Sequence, residues 1–296
     1  MVDYDEFGML PDNATEVGIP WKGRPVVRRE WVPLDDGRRL SALVWGDGPP
    51  ELVLLHGGAQ NAHTWDTFAL ALGRPLVAID LPGHGHSAWR PNRDYRPQAM
   101  AGDVVSAVEQ LAPDASTLVG MSLGGLTALA ALATTPGLAD RLVLVDITPG
   151  VNQEKAAAIV NFVDGPAEFE SFDALLTRTI EHNPTRSESS LRRGVLHNAR
   201  ELDDGRWVWR YDRLGDRLDD LDGRFADLWE AVSALEVPLL LARGAISPVV
   251  DDADVTELLR RQPGAQVVTV EGAGHSIQGD QPVALAELVA RFHATS

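Results

Sequence analysis

Short unbroken apolar runs alternate along this chain with stretches in which apolar residues recur every three or four positions. The runs Leu52–Leu55, Pro75–Asp80, Leu118–Met121, Arg141–Ile147, Pro238–Gly244 and Gln266–Val270 are the pattern of strands buried on both faces of a mostly parallel sheet. Ahead of them, Val26–Pro33 and Leu40–Trp45 read as two strands joined at Asp35-Asp36-Gly37, a hairpin turn. Between the runs the period lengthens. Ala62–Leu72, Met100–Leu111, Leu126–Ala133, Asp252–Gln262 and Pro282–Phe292 are expected helices, the second placing Val104, Val105, Val108 and Leu111 on one face. Strand and helix in turn predict a doubly wound α/β sheet with right-handed crossovers.

The alternation stops at about residue 149 and resumes at about 236. This block is richer in charge, carries Trp207, Trp209 and Trp229, and reads as several helices inserted at the C-terminal edge of the sheet. Residues 1–25 show no period and read as an arm lying over the surface or partly disordered. The expected organisation is therefore an arm (1–25), a core made of 26–148 with 236–296, and an inserted helical block (149–235).

Composition narrows the function. At 296 residues the chain can bury a sizeable core, and 44% hydrophobic with 23% charged residues is ordinary for a soluble globular protein. A net charge of −17 disfavours nucleic acid and anionic membrane surfaces as partners, and discourages strongly anionic substrates unless a local basic pocket exists. There is no cysteine, which excludes disulfides, thiolate metal sites and cysteine nucleophiles. The acidic N-terminus lacks a signal-peptide pattern, and no apolar run approaches the roughly 20 residues of a membrane span. A cytoplasmic protein is expected, and its oligomeric state is not legible.

The chemistry centres on Gly120-Met121-Ser122-Leu123-Gly124. An apolar strand enters this G-x-S-x-G and a small-residue helix leaves it, the pattern of a serine on a turn too tight for larger neighbours. A serine nucleophile further needs an oxyanion hole, a base and an orienting acid. The backbone N–H of Leu123 supplies one oxyanion donor. His56-Gly57-Gly58-Ala59 supplies the other, Gly58 being the first choice and Ala59 the fallback, while His56 braces the loop. Of the eight histidines, His275 stands on a glycine-rich loop just past the last strand, in Gly272-Ala273-Gly274-His275, and is the expected base. No two histidines are spaced as ligands on one helix face, so no metal or other cofactor is expected. Trp65 is a candidate pocket wall. Asp80 is expected to hold its own loop, and Asp280 to cap the last helix.

With these motifs in order, together with Asp80-Leu81-Pro82-Gly83-His84-Gly85-His86-Ser87, residues 26–296 resemble the α/β-hydrolase fold superfamily. The resemblance implies an eight-stranded sheet, a cap after the sixth strand matching 149–235, and a Ser–His–acid triad that forms an acyl-enzyme. The commonest family pattern places the acid after the seventh strand. Here that stretch is Gly244-Ala245-Ile246-Ser247-Pro248-Val249-Val250, with Ser247 at the acid's place. Two candidates remain. Asp251 or Asp252 would have to reach back from the start of the next helix, four or five residues late, so the expected acid is Asp146, which ends the sixth strand, where some family branches place theirs. The expected function is serine hydrolysis of a small-to-medium, largely apolar ester or lactone. The alternatives are carbon–carbon bond hydrolysis, cofactor-free perhydrolysis, or a hydrolase-like protein that only binds its ligand.

Overall fold

The computed structural model describes residues 4–183, 186–213, 221 and 223–294. The arm is ordered: α1 (Leu10–Glu16) tucks Leu10 and Ala14 away from solvent. Then come β1 (Val27–Pro33), β2 (Arg39–Trp45), β3 (Leu52–Leu55), a single 3₁₀ turn (Ala62–Trp65), α2 (Asp66–Leu72), β4 (Leu76–Asp80), α3 (Pro97–Leu111), β5 (Thr117–Met121), α4 (Leu123–Thr134) and β6 (Arg141–Val145). The expected helix over 62–72 is thus split, because the 3₁₀ turn re-aims the chain before α2 begins. α3 starts earlier than its apolar period suggests, at Pro97, where a proline's missing N–H costs a helix nothing.

The segment between β6 and the next core strand holds α5 (Ala157–Val163), β7 (Glu168–Phe169), α6 (Phe172–Glu181), α7 (Glu188–Asn198), β8 (Ala199–Glu201), β9 (Trp207–Trp209) and α8 (Leu228–Ala234). The expectation of helices alone is corrected here. β7, β9 and β8 pair antiparallel into a three-stranded sheet, and Phe169, Phe172, Leu175, Trp207 and Trp209 form a separate apolar cluster around it. The core resumes with β10 (Leu239–Gly244), α9 (Asp252–Arg261), β11 (Gln266–Val270), α10 (Ile277–Asp280) and α11 (Pro282–His293).

Eight strands form the main sheet in the order β1-β2-β4-β3-β5-β6-β10-β11. β2 is antiparallel to both neighbours and every other pair is parallel. The alternation within one buried strand shows how both faces are filled. Val53 and Leu55 face the cluster built with α3 and α4, whereas Leu52 and Leu54 face the one built with α2 and α11. That order brings the C-terminal ends of β3, β5, β6 and β10 side by side. No helix among the described residues is long and apolar enough to cross a membrane.

The arm ties these layers together. Glu6 pairs with Arg29 of β1 and lies 3.1 Å from His63 Nε2. Asn13 accepts a hydrogen bond from Arg193 of α7, whose guanidinium also pairs with Glu16.

Candidate active site

Ser122 stands between β5 and α4 with φ 51° and ψ −121°. Left-handed backbone is uncommon for a non-glycine residue and costs energy that its surroundings must offset. The flanking glycines explain how the turn closes. A Cβ on Gly120 would sit 2.5 Å from Gly124 O and Gly125 N, and one on Gly124 would sit 2.4 Å from Leu55 O. Only residues without side chains let β5, α4 and β3 approach this closely. The serine's own backbone is held on both sides, its N–H donating to Val145 O at 3.2 Å and its carbonyl accepting from Gly125 N at 2.9 Å.

Asp146 also has a left-handed φ, 50°, and is wholly buried where β6 ends. Its carboxylate meets three donors. Oδ2 accepts from His275 Nδ1 at 2.8 Å and from the Ser247 hydroxyl at 2.5 Å, and Oδ1 accepts from Gly244 N at 2.8 Å. β6 and β10 are paired neighbours, so the loop after β10 delivers Gly244 and Ser247 to the end of β6. A proton on Nδ1, shared with Asp146, leaves the His275 Nε2 lone pair free to accept one. Asp251 and Asp252 are occupied elsewhere. Asp251 caps α9, accepting from Asp254 N at 2.9 Å with Lys155 Nζ at 3.0 Å, and Asp252 pairs with Arg243 at 2.5 Å with a side chain 94% exposed.

The loop after β3 passes beside the elbow. A Cβ on Gly58 would lie 3.9 Å from the Leu123 side chain. Leu123 opens α4, so its N–H has no intrahelical acceptor. His56 is buried with Nδ1 2.7 Å from Gly57 O and Nε2 accepting from Leu81 N at 2.9 Å. Burial, reinforced by His84, drives its pKa down to about 3, which leaves it a neutral brace. The sequence offered no sign of Asn198, at the end of α7, which donates to Ala59 O at 2.7 Å and accepts from Asn61 Nδ2 at 3.1 Å. It fastens the intervening segment to this loop.

A cavity of about 650 Å³ opens on Ser122, His275 and Gly58. Ile159, Phe162, Leu191 and Trp209 give it apolar wall, and Thr179, Asn183 and Arg186 polar wall. Trp65 is not part of it, which corrects the expectation. The indole is 0% exposed and packs edge-on against Phe68, because the 3₁₀ turn points it into the layer between the sheet and α2. Asp280 is corrected too. Gln281, not Asp280, precedes the first residue of α11 and makes no side-chain cap, and Asp280 Oδ2 accepts from Gly274 N at 2.9 Å, bracing the loop that carries His275. Asp80 holds loops as expected, accepting from Ala62 N at 2.7 Å and His86 N at 3.0 Å.

His63, Asp66 and His197 each bring one potential ligand atom within 4.8 Å of the others. Their arrangement does not fit a metal ion. The two imidazoles stack 3.7 Å apart with 10° between planes, so their in-plane lone pairs run parallel, whereas coordination requires them to converge. The cluster is instead an ion network. Burial depresses the His63 pKa, but Asp66 at 2.9 Å and Glu6 outweigh it and carry the value up to about 9. His197 stays neutral, its pKa lowered by burial and by His63 beside it.

Comparison with known proteins identifies the family. The Alpha/beta hydrolase family model matches residues 52–288. Esterase Rv0045c of Mycobacterium tuberculosis is 47% identical over 296 residues, spanning 98% of this chain and 96% of that protein. The mouse (Mus musculus) sn-1-specific diacylglycerol lipase ABHD11 is 31% identical over 264 residues, spanning 85% of this chain and 84% of that one. A solved structure of the M. tuberculosis esterase superposes with a TM-score of 0.88 at 45% identity, over 99% of this chain and all of that one. The chain belongs to the α/β hydrolase family.

Proposed function

We propose that the ester bond this hydrolase cleaves is opened by Ser122, with His275 as the base and Asp146 as the acid that orients it. The observation that carries the reading is that His275, hydrogen-bonded to the buried Asp146, opens on the same cavity as a serine in left-handed backbone. His275 Nε2 takes the Ser122 hydroxyl proton as Oγ attacks the ester carbonyl. The oxyanion that forms is met by the N–H groups of Gly58 and Leu123. His275 returns the proton to the departing alcohol, leaving an acyl group on Ser122. It then deprotonates a water that attacks the acyl carbon, and the acid product leaves with Ser122 restored.

Residues 149–235 act as a cap over the cavity, and Ile159, Phe162, Leu191 and Trp209 suit the apolar portion of a small-to-medium ester. A lactone is the cyclic form of the same substrate and meets the same groups. The location this reading assigns is the cytoplasm, which cell fractionation checks. The test of function is labelling by a fluorophosphonate probe together with a screen of p-nitrophenyl esters of graded chain length and a few lactones. Wild type labels and turns over esters, and Ser122→Ala does neither. A Ser122→Ala protein that labels as well as wild type refutes the assignment.

A further inference from the structure

Two arginines line the cavity, and they differ in how their charge is answered. Arg193 is matched: it pairs with Glu16 and donates to Asn13 Oδ1 at 2.5 Å and Ser189 Oγ at 2.6 Å. Arg186 has one side-chain hydrogen bond among the described residues, from Nη2 to Ser190 Oγ at 2.6 Å. It is half-buried against the chain that follows His275, where a Cβ on Gly279 would lie 3.0 Å from its Cζ and Nη1. Burial presses its pKa below the usual arginine range, although the group stays charged.

The charged groups that bear on it are Asp280, Glu16 and Arg193. Both acids favour its charge from a distance but neither hydrogen-bonds to it, Asp280 accepting from Gly274 N and Glu16 meeting Arg193 and the Ser187 hydroxyl. Arg186 therefore presents a half-buried guanidinium, with donors to spare, to the cavity that holds Ser122. A charge in this position is costly unless something answers it. The planar guanidinium fork fits a carboxylate better than any other common group.

We infer that Arg186 forms an anion subsite and that the substrate is an ester carrying a free carboxylate at the end remote from the scissile bond. This rests on the reading of Ser122 and adds the substrate's charge to it. The acidic surface makes a local cation the more necessary, since a chain of net charge −17 does not attract anions unaided.

Ethyl monoesters of linear dicarboxylic acids of graded length, with the matching diethyl esters as neutral counterparts, test the proposal. In wild type the monoester is preferred in kcat/KM at one chain length, which reports the span from Ser122 to Arg186. In Arg186→Gln that preference falls by about tenfold or more, chiefly through KM, as expected for a lost charge-assisted hydrogen bond. Arg186→Lys recovers part of it by restoring a point charge without the fork. Calorimetric binding of the uncleaved monoester to Ser122→Ala, compared with the Ser122→Ala/Arg186→Gln double variant, reads the subsite without turnover. Equal monoester and diester kinetics at every length, or binding that ignores Arg186, overturns the proposal. Diester hydrolysis that persists in Ser122→Ala instead overturns the nucleophile assignment, so the two failures are distinct.

Discussion

Replacing Asp146 by asparagine keeps the shape of a fully buried side chain and removes its charge. The carboxylate lies 2.8 Å from His275 Nδ1. With charge centres about 4 Å apart and an effective dielectric near 20, the pair attracts by about 4 kcal/mol once the imidazole is protonated. At about 1.4 kcal/mol per decade, losing that attraction slows proton transfer by about 10³-fold. The amide adds a second fault. Its NH₂ donates to Nδ1 and so stabilises the tautomer whose Nε2 already carries a proton and cannot accept another. Asp146→Asn is therefore expected to lower kcat for a p-nitrophenyl ester by at least about 10³-fold. Thermal denaturation in parallel shows whether the fold survives. Asp251→Asn and Asp252→Asn, which disturb partly or wholly exposed pairs with Lys155 and Arg243, should stay within about twofold of wild type. An Asp146→Asn enzyme within about tenfold of wild type, or an equal loss in Asp251→Asn, refutes the reasoning.

Other substitutions probe the supports of the same site. Ser247→Ala removes one of the donors that fix Asp146 and is expected to lower kcat by about tenfold with little change in KM; an unchanged kcat denies Ser247 a part in positioning the acid. The arm network makes stability depend on pH in two windows. His63 has a folded pKa of about 9 against 6.5 unperturbed, so its contribution is complete below 6.5 and is lost as pH rises through 9. Glu6, partly buried but held down to about 2 by His63 and Arg29 against 4.5 unperturbed, contributes above 4.5 and loses that contribution as pH falls toward 2. The melting temperature of wild type should accordingly fall between pH 6.5 and 9, and His63→Gln should flatten that limb. A limb that survives His63→Gln assigns the loss to another group.

The main sheet was readable because strands covered on both faces carry apolar residues at every position, as in Leu52–Leu55 and Leu142–Val145. β7, β8 and β9 were not, since strands of two or three residues are too short to display an alternation. Ser122, Gly58 and His275 lie on loops whose glycines mark them in sequence, and the structure brings all three to one cavity. Sequence alone put Asp146 first but kept Asp251 and Asp252 open beside it, because the contact with His275 spans 129 residues and depends on which strands are neighbours. The same limit hid Ser247, Asn198 and Arg186. Trp65 illustrates the opposite case, in which proximity along the chain to a functional loop says nothing about which side of a turn the ring faces.

The ties made by α1 carry a consequence for how the chain is assembled. Asn13 and Arg193 lie 180 residues apart, so the arm leaves the ribosome long before its partner on α7 exists. Closing so long a loop is an entropic cost met only once α7 has formed. The tie from α1 to α7 is thus later than the contacts of Glu6 with Arg29 and His63, which lie within 57 residues of it.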